Sequence, residues 1–136
     1  MGTIHKQTAD DTTANWTYPS VEVTEYRADA SAGITKQVLI GKDEGATDFV
    51  VRYFTIPPGG KSALDKHLHQ HGVVVMQGSG RVLLGEQWHE IHVGDSIFID
   101  GNEQHQLEAA GDEVLGFICV IPTWAEADSC AVPGQA

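Results

Sequence analysis

From Val21 onward, short apolar runs alternate with clusters of glycine, proline, aspartate and asparagine, and none carries the spacing of a convincing amphipathic helix. The runs Val21–Tyr26, Lys36–Ile40, Phe49–Ile56, Val73–Gln77, Arg81–Leu84, His89–Val93, Ser96–Ile99 and Val114–Ile121 read as strands. Their breaks are PPGG at 57–60, QGSG at 77–80, GEQ at 85–87, VGD at 93–95 and DGNEQ at 100–104. Gly and Pro punctuate a chain this way because they supply backbone angles that other residues resist. Short strands recurring at a spacing of about 8–12 residues predict an all-β sandwich or barrel. Residues 1–20, rich in Thr, Asp and Ala, read as a flexible N-terminal arm, 21–122 as the barrel and 123–136 as a tail. The only helical expectation is a turn near Trp124, and no fixed-period repeat is present.

A chain of 136 residues with 41% hydrophobic residues suits one domain with one core. The formal charge of −11 repels phosphate backbones and anionic bilayers, which argues against nucleic-acid and membrane partners. No run approaches the roughly 18 apolar residues a membrane helix needs. The polar start MGTIHKQTADDTT is unlike a secretory signal, so a cytoplasmic protein is expected. Cys119 lies in the apolar run GFICVIP and reads as a core thiol, and Cys130 lies in the small-residue tail.

The histidines change the picture. There are seven against eight Lys plus Arg, and five fall between His67 and His92. In GGKSALDKHLHQHGVVVMQG (59–78), Asp65, His67 and His69 alternate with Lys66 and Leu68, which sends them to one face of an extended strand. A tight turn near 68–70 would set His67 and His71 across a hairpin, with opposing Cβ atoms about 5 Å apart. Two imidazoles so placed can share an ion at about 2.0–2.1 Å. His105, in NEQHQLE, is the natural third ligand from a distant strand. Imidazole suits Fe, Ni, Mn, Co, Cu or Zn, and a carboxylate from Asp65 would add a hard, charged donor. Three protein ligands leave positions open, as catalytic sites do and structural sites do not.

This stretch resembles the first motif of the cupin superfamily, G-x5-H-x-H-x3-E-x6-G. Gly59, Asp65, His67, His71 and Gly78 fall on its positions without a gap. The second motif, G-x5-P-x-G-x2-H-x3-N, is matched in spacing by Gly94, Asp100, Asn102, His105 and Ala109. PPGG, VGDSIFI and GDEVLGFICVIP also look like the family, and the resemblance covers about residues 45 to 122. It implies a double-stranded β-helix (jelly-roll) barrel holding one divalent transition metal. Only His67 and His105 match the motif ligands in type, because Asp65 replaces a histidine and His71 a glutamate. Asp65 is then a fourth ligand, a catalytic base, or an acceptor that fixes a ligand's tautomer. A second register pairs His67 with His69 and keeps His69 as a substitute ligand.

His5, His89 and His92 occupy no motif position and read as ordinary histidines. Arg52, Tyr53, Gln77 and Gln104 would orient a polar substrate if they face inward, which the PPGG turn leaves undecided. Trp88 and Trp124 read as packing residues. The resemblance implies a metal-dependent oxidoreductase, dioxygenase-like, acting on a small organic acid, diketone or phenolic compound. A small-molecule-binding protein without turnover is the alternative, since fold alone does not fix function. A homodimer is expected, also from the resemblance.

Overall fold

The structure is a computed structural model and describes residues 2–10, 15–26 and 33–126. Cys130 and the rest of the tail beyond Glu126 lie outside the described residues. In chain order the strands are β1 (Thr8–Asp10), β2 (Asn15–Thr17), β3 (Thr24–Glu25), β4 (Thr35–Ile40), β5 (Phe49–Ile56) and β6 (His71–Gln77). There follow β7 (Ser79–Leu84), β8 (Gln87–His92), β9 (Ser96–Ile99), β10 (His105–Ala109) and β11 (Leu115–Pro122), then α1 (Thr123–Glu126). The expected all-β architecture is present, and the helical turn at Trp124 is α1.

Two antiparallel sheets make the barrel. The larger has the order β3-β4-β5-β11-β6-β9, and the smaller β10-β7-β8. Strands distant in sequence are therefore neighbours: β11 lies between β5 and β6, with Cys119 opposite Arg52 on one side and Val73 on the other. Alternation explains the core. Val73 and Val75 from β6, Phe54 and Ile56 from β5, Leu115 and Phe117 from β11, and Val82, Ile91 and Leu107 from the smaller sheet form one buried cluster. Ile56, Val75 and Leu115 have no exposed surface, and each such side chain contributes about 1.5–3 kcal/mol.

Two expectations are corrected. Val21–Tyr26 shrinks to the two residues of β3. His105–Ala109, expected only as a ligand-bearing segment, is the strand β10. Its inward positions are His105, Leu107 and Ala109, so a single large aliphatic residue carried its strand signal. β10 pairs with β7 from His105↔Leu84 to Ala109↔Gly80. Gly80 is required there, because a Cβ would lie 2.1 Å from the Glu108 carbonyl oxygen.

The N-terminal segment is tied to the barrel at two points. His5 Nε2 lies 2.9 Å from Glu44 Oε2, and Gln37 Nε2 donates to the Tyr18 and Val21 carbonyls. Among the described residues no helix is long and apolar enough to cross a membrane.

Candidate metal centre

After the PPGG turn, closed by Gly60 N–H donating to the Pro57 carbonyl, the chain runs beside β10. Asp65 and His105 exchange both backbone hydrogen bonds at 2.9 Å, and Ser62 N–H donates to the Leu107 carbonyl. This register carries Asp65 and His67 to the inner wall. The hairpin expected between His67 and His71 is absent: residues 61–67 lie along β10, whereas His71 opens β6 opposite Ile99 on the other sheet. The two histidines meet because the chain crosses from one sheet to the other through a bend at Leu68–His69.

The turn after β9 holds that bend. Asn102 N–H donates to the His67 carbonyl, and Gly101 lies so close to Leu68 that a Cβ would come within 2.6 Å of its carbonyl oxygen. Asn102 stands at φ 60° in the position where the cupin motif has glycine. Asn is among the few residues that adopt this left-handed conformation readily, so the departure from the motif preserves the backbone.

Four imidazoles converge. Ring centroids are 4.8 Å apart for His67–His69, 5.4 Å for His67–His71, 5.2 Å for His67–His105, 4.7 Å for His69–His71 and 5.0 Å for His71–His105. All four residues are buried. His69 does sit in a bend, as expected, but its ring turns into the cluster and packs edge-on against Trp124 at 5.8 Å. Donor atoms of His67, His69 and His71 lie within 4.8 Å of one another, and so do those of Asp65, His67 and His105. Ligands about 2.1 Å from a shared ion lie at most about 4.2 Å apart, so this envelope is only slightly wider than a closed coordination sphere.

The hydrogen-bonding pattern fits a cation. His69 Nε2 and His71 Nε2 are buried without a partner among the described residues. Orphaned buried nitrogens are costly unless something absent from the chain satisfies them. His105 Nδ1 lies 2.8 Å from the Glu103 carbonyl, which only accepts, so Nδ1 carries the proton and Nε2 keeps its lone pair. His71 Nδ1 lies 3.2 Å from Cys119 Sγ, a contact that orients that ring. Burial, reinforced by mutual repulsion among the rings, pushes His69 down to about 4 and His71 down to about 2. Burial also lowers His105. These imidazoles are neutral at physiological pH, the form that binds metals. Asp65 Oδ2 lies 3.6 Å from His67 Nε2, beyond a hydrogen bond but within range of a shared ion.

The cluster faces a cavity of about 60 Å³ with apolar walls that include Ile34, Phe54, Ile56 and Phe117. Two polar residues of the larger sheet also line it. Arg52 points inward, which decides the strand face left open by the sequence, while Tyr53 points the other way and bonds Gln77. Cys119, expected as a core thiol, is buried but lines this cavity, and burial pushes its thiol up. Its neighbour across the sheet is what the apolar run concealed: β11 pairs with β5, which carries Arg52. Gln104, His89 and His92 are exposed. Trp88 stacks on Arg81, with the guanidinium 4.1 Å from the ring centroid.

The model of the family described as the cupin domain matches residues 52–121. The 1-methylthio-D-xylulose 5-phosphate methylsulfurylase of Rhodospirillum rubrum is 35% identical over 126 residues, covering 90% of this chain and 78% of that protein. A cupin 2 conserved barrel domain protein from Rhodopseudomonas palustris is similar in structure, with 32% identity, a TM-score of 0.73, and 88% of this chain and 80% of that one covered. The polyketide cyclase RemF from Streptomyces resistomycificus has 27% identity and a TM-score of 0.69, over 77% of this chain and 75% of that one.

Proposed function

Because the chain belongs to the cupin family, we propose that it is a metal-dependent enzyme for a small compound with adjacent oxygen atoms, held inside the barrel. The single observation that carries this reading is the pair of partnerless, buried Nε2 atoms of His69 and His71, facing His67 and His105 beside an open cavity. His67, His69, His71 and His105 would hold a divalent transition metal, with Asp65 as a further donor or a base. When bound, that ion supplies Lewis acidity to a chelated carbonyl.

The substrate class favoured by the methylsulfurylase of R. rubrum is a phosphorylated ketose, which carries a carbonyl beside hydroxyl groups. In this chain, Asp65 lines the cavity and would take a proton from the carbon or hydroxyl next to that carbonyl. Phe54, Phe117 and Ile56 exclude water from the reacting face. Cys119 Sγ lies 3.2 Å from His71 Nδ1, and this contact leaves Nε2 turned toward the cluster.

A second reading, a dioxygenase-like oxidoreductase acting on a small organic acid, diketone or phenolic compound, is favoured by another grouping. Asp65, His67 and His105 form a set of two histidines and one carboxylate, the donor set of non-haem iron oxygenases.

Purified protein loaded in turn with Mn(II), Fe(II), Ni(II), Co(II), Cu(II) and Zn(II) tests both. 1-Methylthio-D-xylulose 5-phosphate is followed by NMR, and oxygen uptake is measured with small acids, diketones and phenols. Turnover of the ketose phosphate, cut about 10²–10⁴-fold in Asp65→Asn while metal is retained, supports the first reading. Oxygen uptake coupled to product supports the second. Metal binding without turnover of any of them leaves a binding protein and defeats both.

A further inference from the structure

We infer that Arg52 is the anion-recognition residue of the cavity, so that the substrate bears an acidic group, a carboxylate or a phosphate, close to the metal cluster. This rests on the reading above only for the position of the metal; the anion site itself is built from other residues.

Arg52 is 3% exposed and lines the cavity. A buried guanidinium needs its donors met and its charge balanced. One face packs over the Phe54 ring at 4.9 Å. Its Nη2 donates to Cys119 Sγ at 3.1 Å, and its Nη1 lies 3.4 Å from Glu126 Oε2. Nε is buried and has no partner among the described residues.

Charge balance is equally incomplete. Glu126 is shared: its Oε1 accepts from Lys36 Nζ at the shorter distance of 2.7 Å. Among the described residues two cations therefore face one carboxylate, which leaves the group Lys36–Glu126–Arg52 with a net positive charge. The remaining carboxylate of the lining, Asp65, stands beside His67. In a chain of formal charge −11, a cavity lined by an under-compensated guanidinium is selective by contrast. An anion in the cavity beside the guanidinium would cancel that charge.

Position sets the length of the ligand. Arg52 and His71 contact the same sulfur, at 3.1 Å and 3.2 Å. A compound reaching from the cluster to the guanidinium is therefore a small one, with its oxygen pair and its acidic group separated by a few atoms.

Calorimetry with Mn(II)-loaded protein tests the inference using matched hydroxyketones. Dihydroxyacetone phosphate is compared with dihydroxyacetone, and 5-hydroxy-4-oxopentanoate with 1-hydroxybutan-2-one. At least tenfold tighter binding of one charged member is expected, and which pair shows it tells phosphate from carboxylate. Arg52→Met should abolish the preference, while Arg52→Lys keeps part of it. Glu126→Gln should strengthen the preference several-fold, whereas a merely structural Arg52–Glu126 pair would give a weaker, less stable protein. Equal binding of charged and neutral compounds by the wild type, or an undiminished preference in Arg52→Met, overturns the inference. The metal-free protein separates the two ideas: a rise in Tm with methyl phosphate or propanoate, lost in Arg52→Met, upholds the anion site even if no metal binds. Metal and hydroxyketone binding without charge preference upholds the metal reading alone.

Discussion

The His71 imidazole and the Cys119 thiol are locked together, with Nδ1 3.2 Å from Sγ, although 48 residues separate them in the chain. The contact follows from β11 pairing with β6, which sets Cys119 opposite Val73, the next inward residue after His71. It determines which ring nitrogen of His71 faces the other histidines.

Removing that partner is therefore expected to weaken metal binding without unfolding the barrel. Cys119→Ala should lower metal affinity about 10–100-fold, the usual effect of deleting a group that orients a ligand. Cys119→Ser, which keeps a polar partner, should recover part of the loss. Competition against a chromophoric chelator gives the affinities, and the Tm of the metal-free variants shows whether the core is intact. Equal affinity in the wild type and Cys119→Ala would show that His71 is oriented by packing alone.

The strands Phe49–Ile56 and Ser96–Ile99 were legible to the residue, because apolar alternation and flanking turns agree there. His67, His71 and His105 were legible through motif spacing, and the structure does bring them together. Three features were not. The inward turn of His69 depends on how Gly101 and Asn102 press on the bend, a contact across 33 residues. The strand β10 hid behind polar alternation, since Gln106 and Glu108 face outward and a histidine heads it. The cavity role of Cys119 and Arg52 depends on β11–β5 pairing, and period-two alternation fixes a strand's faces without saying which neighbour it takes.

His69 separates the two donor groupings. If the four-histidine cluster binds the ion, His69→Ala loses most of its metal, as His105→Ala does. If Asp65, His67 and His105 suffice, His69→Ala keeps near-stoichiometric metal and Asp65→Ala loses it. Elemental analysis of the variants after identical loading distinguishes these outcomes, and the orphaned Nε2 of His69 favours the first.

Gly101 should couple the second motif to the first. A methyl group at this position meets the Leu68 carbonyl oxygen at 2.6 Å, so Gly101→Ala must push the Leu68–His69 bend away. A site tolerates only fractions of an ångström of ligand displacement. Metal affinity is expected to fall at least tenfold, with a loss of stability of about 1–3 kcal/mol, the usual cost of such overpacking. Gly111→Ala, where nothing lies within 4 Å of the added carbon, is the control for the glycine substitution itself.

The depressed histidines make the metal-free barrel sensitive to acid in a defined direction. His69 is held at about 4 and His71 at about 2, chiefly by burial and then by neighbouring positive charge, against about 6.5 in an unfolded chain. Between about 6.5 and 4 the unfolded chain takes up protons that the folded cluster refuses, so stability falls as the pH falls. Above about 6.5 both states hold neutral imidazole and this contribution to the slope vanishes. The Tm of metal-free protein should thus be flat from pH 7 to 8 and drop by several degrees toward pH 4. His69→Gln should reduce the slope in that interval, because one of the refused protons is gone. A Tm independent of pH from 7 down to 4.5, with the fold intact, would mean that the rings admit protons freely and are not the buried, neutral cluster a cation requires.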